Sequence, residues 1–399
     1  MSKSPVWAAW VAGLVTGSTG IFLTATASAF AASMAAGAGA VEENDSGLDL
    51  QDDTVLAVLP PSRQNKTSSG QLLDQVADLI AQGIASDDVR YFGRADAVLA
   101  AVGRDAVTAR SERFLRLKAR TRGLLHDFET SRNSLYEILQ RQPGNDSARR
   151  ELLFLDLLQG DLNAAQGHCR DTSGFRSAVS RQLCLIHLQI ARGQTVKPQS
   201  SRLLEAIAGG GAGAPDAVWA QDLLSEETFA RLAMTRDVSE RTRLRDELRA
   251  FARKNRSARG DQMPDKPRMA YLADRMIAAG DFPGVIETIP RDTRSFPLAV
   301  RLAVALRASR PAHNNAKLES FCREIIATES SRGSIEHARE AAMFALFVDK
   351  DPAQALRAAR ANWSRQKEWI DAWLLRKSGE DPVTLDAWKK SQGVVAIHD

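Results

Sequence analysis

The residues of this 399-residue chain that could act chemically fall into a few clusters. Arg113, Arg116 and Arg120 are spaced i, i+3, i+7, which puts them on one face of a helix. They belong to a stretch from Arg104 to Arg122 that holds seven bases against Asp105 and Glu112. Arginine presents a planar fork that grips a carboxylate or phosphate through two N–H donors, so the row suits an acidic peptide or a phosphate group. A solvated helix face would carry the same residues. His168 and Cys169 are adjacent and Cys184 follows fifteen positions on. Zinc takes four ligands in paired spacings, and three candidates do not make that set. Glu226 and Glu227 are the one carboxylate pair to offer for acid–base work, and a helix surface explains them as well. Gly209, Gly210, Gly211 and Gly213 precede a helix start near Asp216, but no strand leads into them and no lysine follows, as a phosphate cradle needs. No HExxH, GxxxxGK[ST], GxSxG or CxxC signature occurs. No metal, cofactor or catalytic residue is expected.

Helices must position these side chains. The chain is 44% hydrophobic and 26% charged but only 6% aromatic, and long β-branched runs are scarce, which excludes an all-β sandwich or barrel. Its 14 prolines and 26 glycines are too few for a disordered or collagen-like chain, and three cysteines exclude a disulfide scaffold. The net charge is only +4. Neither basic run, Arg104–Arg122 nor Arg236–Arg259, is interleaved with aromatics, so a nucleic acid would find no stacking partners and is not expected. From Gln71 onward, apolar residues recur at helical spacing: Leu72, Leu73, Val76, Leu79 and Ile80, then Leu115, Ala119, Leu124 and Leu125. Short breaks at 142–145, 159–161, 192–194 and 279–281 contain the glycine that lets a helix exit left-handed, or the Asp or Asn that caps the next one. The predicted fold class is all-α.

The breaks repeat. His126-Asp127-Phe128 and Gly160-Asp161-Leu162 lie 34 residues apart, and Gly193 lies 33 beyond Gly160. In this the chain resembles the tetratricopeptide-repeat (TPR) family, whose unit is a 34-residue helix–turn–helix. Over residues 112–145, Leu115 falls on the first large apolar position and Ala119 on the small one. Ser131 and Leu135 take the small and large positions of the second helix, and Pro143 the closing proline. The likeness recurs around Leu272, Ala273, Gly280, Asp281 and Phe282, and at Asp351, Ala355 and Ala359. It departs at Lys118 and Arg122, where the family is apolar or aromatic, and over 147–159. Between Gly193 and Gly280 the spacing is lost, which predicts longer helices or loops around 208–213 and 238–259.

The resemblance implies a TPR-like helical-hairpin solenoid over residues 71–391, a right-handed superhelix of seven to nine helix pairs. It implies that Arg113, Arg116 and Arg120 line the concave surface, with Arg150 at the equivalent place in the next pair. These four are the expected partner-binding residues, and the expected partner is another protein or an acidic peptide. The Lys/Asn clamp by which some TPR domains hold a terminal carboxylate is not assembled, because the later positions are Glu151, Ser180 and Cys184. The resemblance also sets Cys169 and Cys184 on neighbouring helices, where they either pair after export or pack as small buried residues; Cys322 is left over in both cases. Trp363, Trp369, Trp373 and Trp388 cluster late, as residues that close the open end of a repeat stack or anchor a partner.

Residues 1–31 read as a secretory signal peptide: Lys3, an apolar run from Val6 to Leu23, then overlapping A-x-A sites ending at Ala29 and Ala31. An uncleaved inner-membrane anchor over residues 6–32 is the second reading. Residues 32–70 form an acidic linker, with Glu42, Glu43, Asp45, Asp49, Asp52 and Asp53 ahead of Pro60-Pro61, too polar to offset its chain entropy. Residues 392–399 form a tail. The expected location is the periplasm, and the expected function a non-enzymatic protein–protein interaction scaffold of the cell envelope. The alternative is a helical-repeat cell-wall lytic enzyme with an unrecognised catalytic carboxylate, Glu226 or Glu227 being the candidates.

Overall fold

The computed structural model describes residues 68–170, 174–210, 215–257, 266–309 and 315–395. The signal-peptide segment, the linker as far as residue 67, Gly211, Gly213 and the last four residues lie outside the described residues.

The described residues are all-α, with nineteen helices and no strand. The first eight are α1 (Ser69–Ser86), α2 (Arg90–Val102), the short α3 (Ala106–Ala109), α4 (Glu112–Leu124), α5 (Phe128–Arg141), α6 (Asp146–Gln159), α7 (Leu162–Arg170) and α8 (Ala178–Arg192). Next come α9 (Pro198–Gly209), α10 (Pro215–Met234), α11 (Val238–Ser257), α12 (Lys266–Ala278), α13 (Phe282–Thr288), α14 (Phe296–Ser309) and α15 (Ala316–Ser331). The last are α16 (Ala338–Phe344), which runs into a π-turn at Ala345–Asp349, α17 (Pro352–Trp363), α18 (Trp369–Lys377) and α19 (Pro382–Gln392).

Two local devices set the boundaries. Ser111, Asn145 and Ser177 accept a bond from a backbone N–H in the first turn of α4, α6 and α8, satisfying a donor that the helix leaves open. Inside a hairpin, a left-handed residue is followed by a capping Asp. Gly160 (φ 71°) and Gly280 (φ 68°) precede Asp161 and Asp281, which accept from the Ala164 and Gly284 amides. His126 and Lys350, both at φ 59°, precede Asp127 and Asp351 in the same way, although a Cβ disfavours that backbone. Turns this short make successive helices antiparallel neighbours: α1 packs on α2, α4 on α5, α6 on α7 and α16 on α17. Pairing changes midway, where α9 packs chiefly on α10. There α10 and α11 run to 20 residues each, which is why the sequence spacing lapses.

Two large apolar cores result, with two small clusters beside them. One gathers side chains from Leu73 to Leu223, the other from Phe229 to Leu374, and α10 contributes to both. Between Leu223 and Phe229 the same helix buries Ser225, Glu226, Glu227 and Thr228, so the boundary between the cores is polar. Cys169 and Cys184 are disulfide-bonded, joining α7 to α8 with Cα atoms 5.4 Å apart, while Cys322 is free and buried. Closing a fifteen-residue loop removes unfolded-state entropy worth roughly 3 kcal/mol.

The C-terminal end returns to the middle of the chain. Trp388 Nε1 donates to the Gly160 carbonyl (3.4 Å), the Leu162 amide to the Gln392 side chain (2.9 Å), and the Val395 amide to the Arg192 carbonyl (2.9 Å). Trp363 and Trp388 meet edge to face there, whereas Trp369 and Trp373 are inside the second core against Phe229 and Phe347. No helix among the described residues is long and apolar enough to cross a membrane.

Candidate functional site

Helix α4 presents Arg113, Arg116 and Arg120 along one side, as their spacing predicts, and each meets an internal partner. Arg113 is half-exposed and pairs with Asp74 of α1. Arg116 donates to Glu112 (2.6 Å), Ser147 (2.7 Å) and the Asn145 side chain (3.3 Å), tying α4 to the cap of α6. Arg120 is buried, and desolvation lowers its guanidinium to about 10 although Glu151 opposes the shift. Arg150 donates to Asp216 (2.7 Å) and lies over the Trp219 ring, 5.3 Å from its centroid. Arg116, Arg120 and Arg150 converge electrostatically on Glu151, a wholly buried carboxyl that burial pushes up to about 7 against their pull. The row therefore joins hairpins, and Arg113 is its most accessible member.

The carboxylates proposed for acid–base work diverge. Glu226 has no exposed surface; it accepts from the Tyr271 hydroxyl (2.6 Å) and lies 3.9 Å from Arg275 and 4.0 Å from His187. Burial pushes it up to about 8, so it is a neutral acid at pH 7. Burial acts oppositely on His187, which falls to about 3 and accepts from Trp219 Nε1 (3.3 Å). Glu227, 8% exposed, accepts from the Ser201 hydroxyl at 2.5 Å. A polysaccharide has no path to the Glu226 carboxyl. His168 Nε2 meets Asp156 at 2.8 Å, and among the described residues no group of His, Cys, Asp and Glu could hold a metal ion.

A cavity of about 220 Å³ lies where α1, α2, α12, α14, α16 and the turn ahead of α18 meet. Two arginines dominate its wall. Arg301 donates to both oxygens of Asp274 (2.7 and 2.9 Å), to Glu340 (2.8 Å) and to the Ala270 and Pro297 carbonyls. Arg339 donates to both oxygens of Asp371 (2.7 and 2.9 Å), to Gln366 (3.2 Å) and to Glu368. Burial raises Glu368 to about 7, and only partly does Arg339 offset it. Burial also opposes ionisation of Glu340, but Arg301, His337 and Arg339 hold it below the usual carboxylate range. On the apolar side, Gly83 lets the Phe92 ring lie against α1, where a Cβ would collide with it.

None of these wall residues was singled out from the sequence, yet a signal was there. Arg301 interrupts the apolar run Leu298–Leu306, and Asp371 sits between Trp369-Ile370 and Ala372-Trp373. A charge inside an apolar helix face is either buried with a partner or misplaced. No family profile matches the chain, and neither a curated protein nor a solved structure does.

Proposed function

We propose that this chain is an exported interaction scaffold: a TPR-like helical-hairpin solenoid that holds another protein of the cell envelope and catalyses nothing itself. The observation that carries the reading is the recurrence of one hairpin unit, with caps at Ser111, Asn145 and Ser177 and left-handed–Asp turns at 126–127, 160–161, 280–281 and 350–351. Stacked hairpins of this kind offer long surfaces for a partner. The Cys169–Cys184 bridge supports an oxidising compartment, because cytosolic thiols are kept reduced. The burial of Glu226 takes from the lytic-enzyme reading its first residue.

In this proposal the partner brings an acidic segment to Arg113, displacing Asp74, with Arg116 beside it. The test is cross-linked capture from cell envelopes with the chain beginning at residue 32, compared with Arg113→Glu, whose side chain is half-exposed and whose fold is checked by its melting curve. A protein captured by the first and lost by the second is the expected result. Equal capture removes the arginine face from the proposal. Soluble fragments released from cell-wall material by the purified chain, and no longer by Glu226→Gln, would replace the scaffold with an enzyme.

A further inference from the structure

Among the described residues the charges packed behind the cavity wall do not cancel. Asp222, Glu226, Asp274, Glu340, Glu368 and Asp371 are all under 9% exposed and pair with Arg268, Arg275, Arg301 and Arg339 in four sets that act on one another electrostatically. Each of Arg301 and Arg339 is held between two carboxylates, and Arg268 is paired with Asp222 at 2.8 Å. Six carboxyls thus face four guanidiniums, and with Glu226 held neutral by burial five of them are left to carry charge. At the rim Lys266 is tied to Asp87 (3.3 Å) and His337 to Glu329 (2.6 Å), and His337 also acts on Glu340, which leaves Glu368 the least compensated of the lining carboxyls. An uncompensated buried anion is costly, and the cost is met by a proton or by a counter-cation. No His/Cys/Asp/Glu set suited to a metal ion gathers among the described residues. The lining of the same cavity also includes the apolar Ile84, Val89, Leu124 and Leu158.

We propose that this cavity binds an organic cation, an ammonium or guanidinium group on a short apolar stem, carried by a free amine or by a lysine or arginine side chain of a partner protein. The cationic head lies toward Glu340 and Glu368, and the stem lies along the apolar lining. In its partner-side-chain form the inference rests on the scaffold reading; in its free-amine form it stands without it. Cation and proton compete at Glu368, which burial pushes up to about 7, whereas Arg301, His337 and Arg339 hold Glu340 ionised; binding therefore releases the Glu368 proton and tightens as pH rises.

The experiment is calorimetric titration of the chain from residue 32 at pH 8 and low salt. The probes are agmatine, a capped Gly-Lys-Gly peptide and, as the anionic counterpart, butyrate. Saturable one-to-one binding of agmatine, with none of butyrate, supports the free-amine form. Binding of the lysine peptide alone supports the partner form. Glu340→Gln removes one acid while Arg301 keeps both bonds to Asp274, and is expected to weaken binding roughly tenfold, as loss of one charged hydrogen bond does. A second measurement uses the unaltered chain: repeating the titration in buffers of different ionisation enthalpy should show protons leaving, and affinity roughly tenfold lower at pH 6. Heats absent for both cations, or unchanged by pH and by Glu340→Gln, overturn the proposal and mean that protons alone neutralise the cluster. Loss of the envelope partner with agmatine binding intact counts against the scaffold reading alone.

Discussion

Arginine does different work in the two cores. In the first, Arg113, Arg116 and Arg150 stay on helix flanks and reach sideways to other hairpins, keeping part of their surface in water. In the second, Arg275 and Arg301 are at most 2% exposed, and they and the partly exposed Arg339 lie among carboxylates from other helices. Flank pairs in high dielectric contribute little each, ~0–1 kcal/mol, and can be exchanged without disturbing the packing. Buried pairs contribute little relative to an apolar core, but breaking one strands its partner. The first core is thus a tolerant stack clasped by a disulfide, and the second a polar-centred assembly whose parts depend on one another.

The largest expected effect tests that dependence. Arg301→Met leaves Asp274 and Glu340 buried together and should cost about 3–5 kcal/mol in denaturant unfolding, against under ~1 kcal/mol for Arg113→Ala. A loss below ~1 kcal/mol for Arg301→Met would erase the distinction. Next, Cys169→Ser with Cys184→Ser should cost about 3 kcal/mol. Hydrogen exchange should place that loss in α6–α8 and leave the second core protected; a uniform loss would mean the two cores unfold as one. The pH dependence then sharpens the contrast. Glu226 in the fold, at about 8, binds a proton that the unfolded chain releases near the ordinary carboxylate value, so stability falls as pH rises through that window. His187, at about 3, works in reverse and removes stability as pH falls below about 6.5. Between pH 6.5 and 8 His337, which burial opposes but Glu329 holds above its ordinary value, acts in the same direction as the raised acids, and Glu226→Gln should flatten the slope by up to ~1.4 kcal/mol per pH unit. An unchanged slope would show that Glu226 is ionised in the fold. Smallest, Lys350→Gly should stabilise by about 0.5–1 kcal/mol, because relief of the left-handed Cβ contact exceeds glycine's entropy cost; a lower melting temperature would contradict it.

Much of the helix layout is legible in the sequence because punctuation is local. Gly160, Gly193 and Gly280 are left-handed as their place in the breaks predicts, and Asp161 and Asp281 cap the helices that follow. His126 was aligned with Gly160 by spacing and shares its backbone conformation, which composition alone does not suggest for a histidine. The shift of pairing at α9 and α10 is not local and left only a lost period as its trace. The arginine row shows the same limit. Spacing places three arginines on one face, but Asp74 lies 39 residues before Arg113, Glu151 comes to Arg116 from two helices on, and Asp216 comes to Arg150 from another hairpin altogether. The second cluster is harder still, because Arg301 finds Asp274 and Glu340 on helices to either side of its own.

The return of α19 to Gly160, Leu162 and Arg192 orders the birth of the molecule. Hairpins made of neighbouring helices can assemble as soon as both are synthesised, since their contacts are local. The bonds from Trp388, Gln392 and Val395 join residues some 200 positions apart and wait for α19 to emerge. Until then α6–α8 display an unfilled docking edge. A bulky fusion joined directly after residue 395 would obstruct this final step, whereas the same fusion ahead of residue 68 would leave it free.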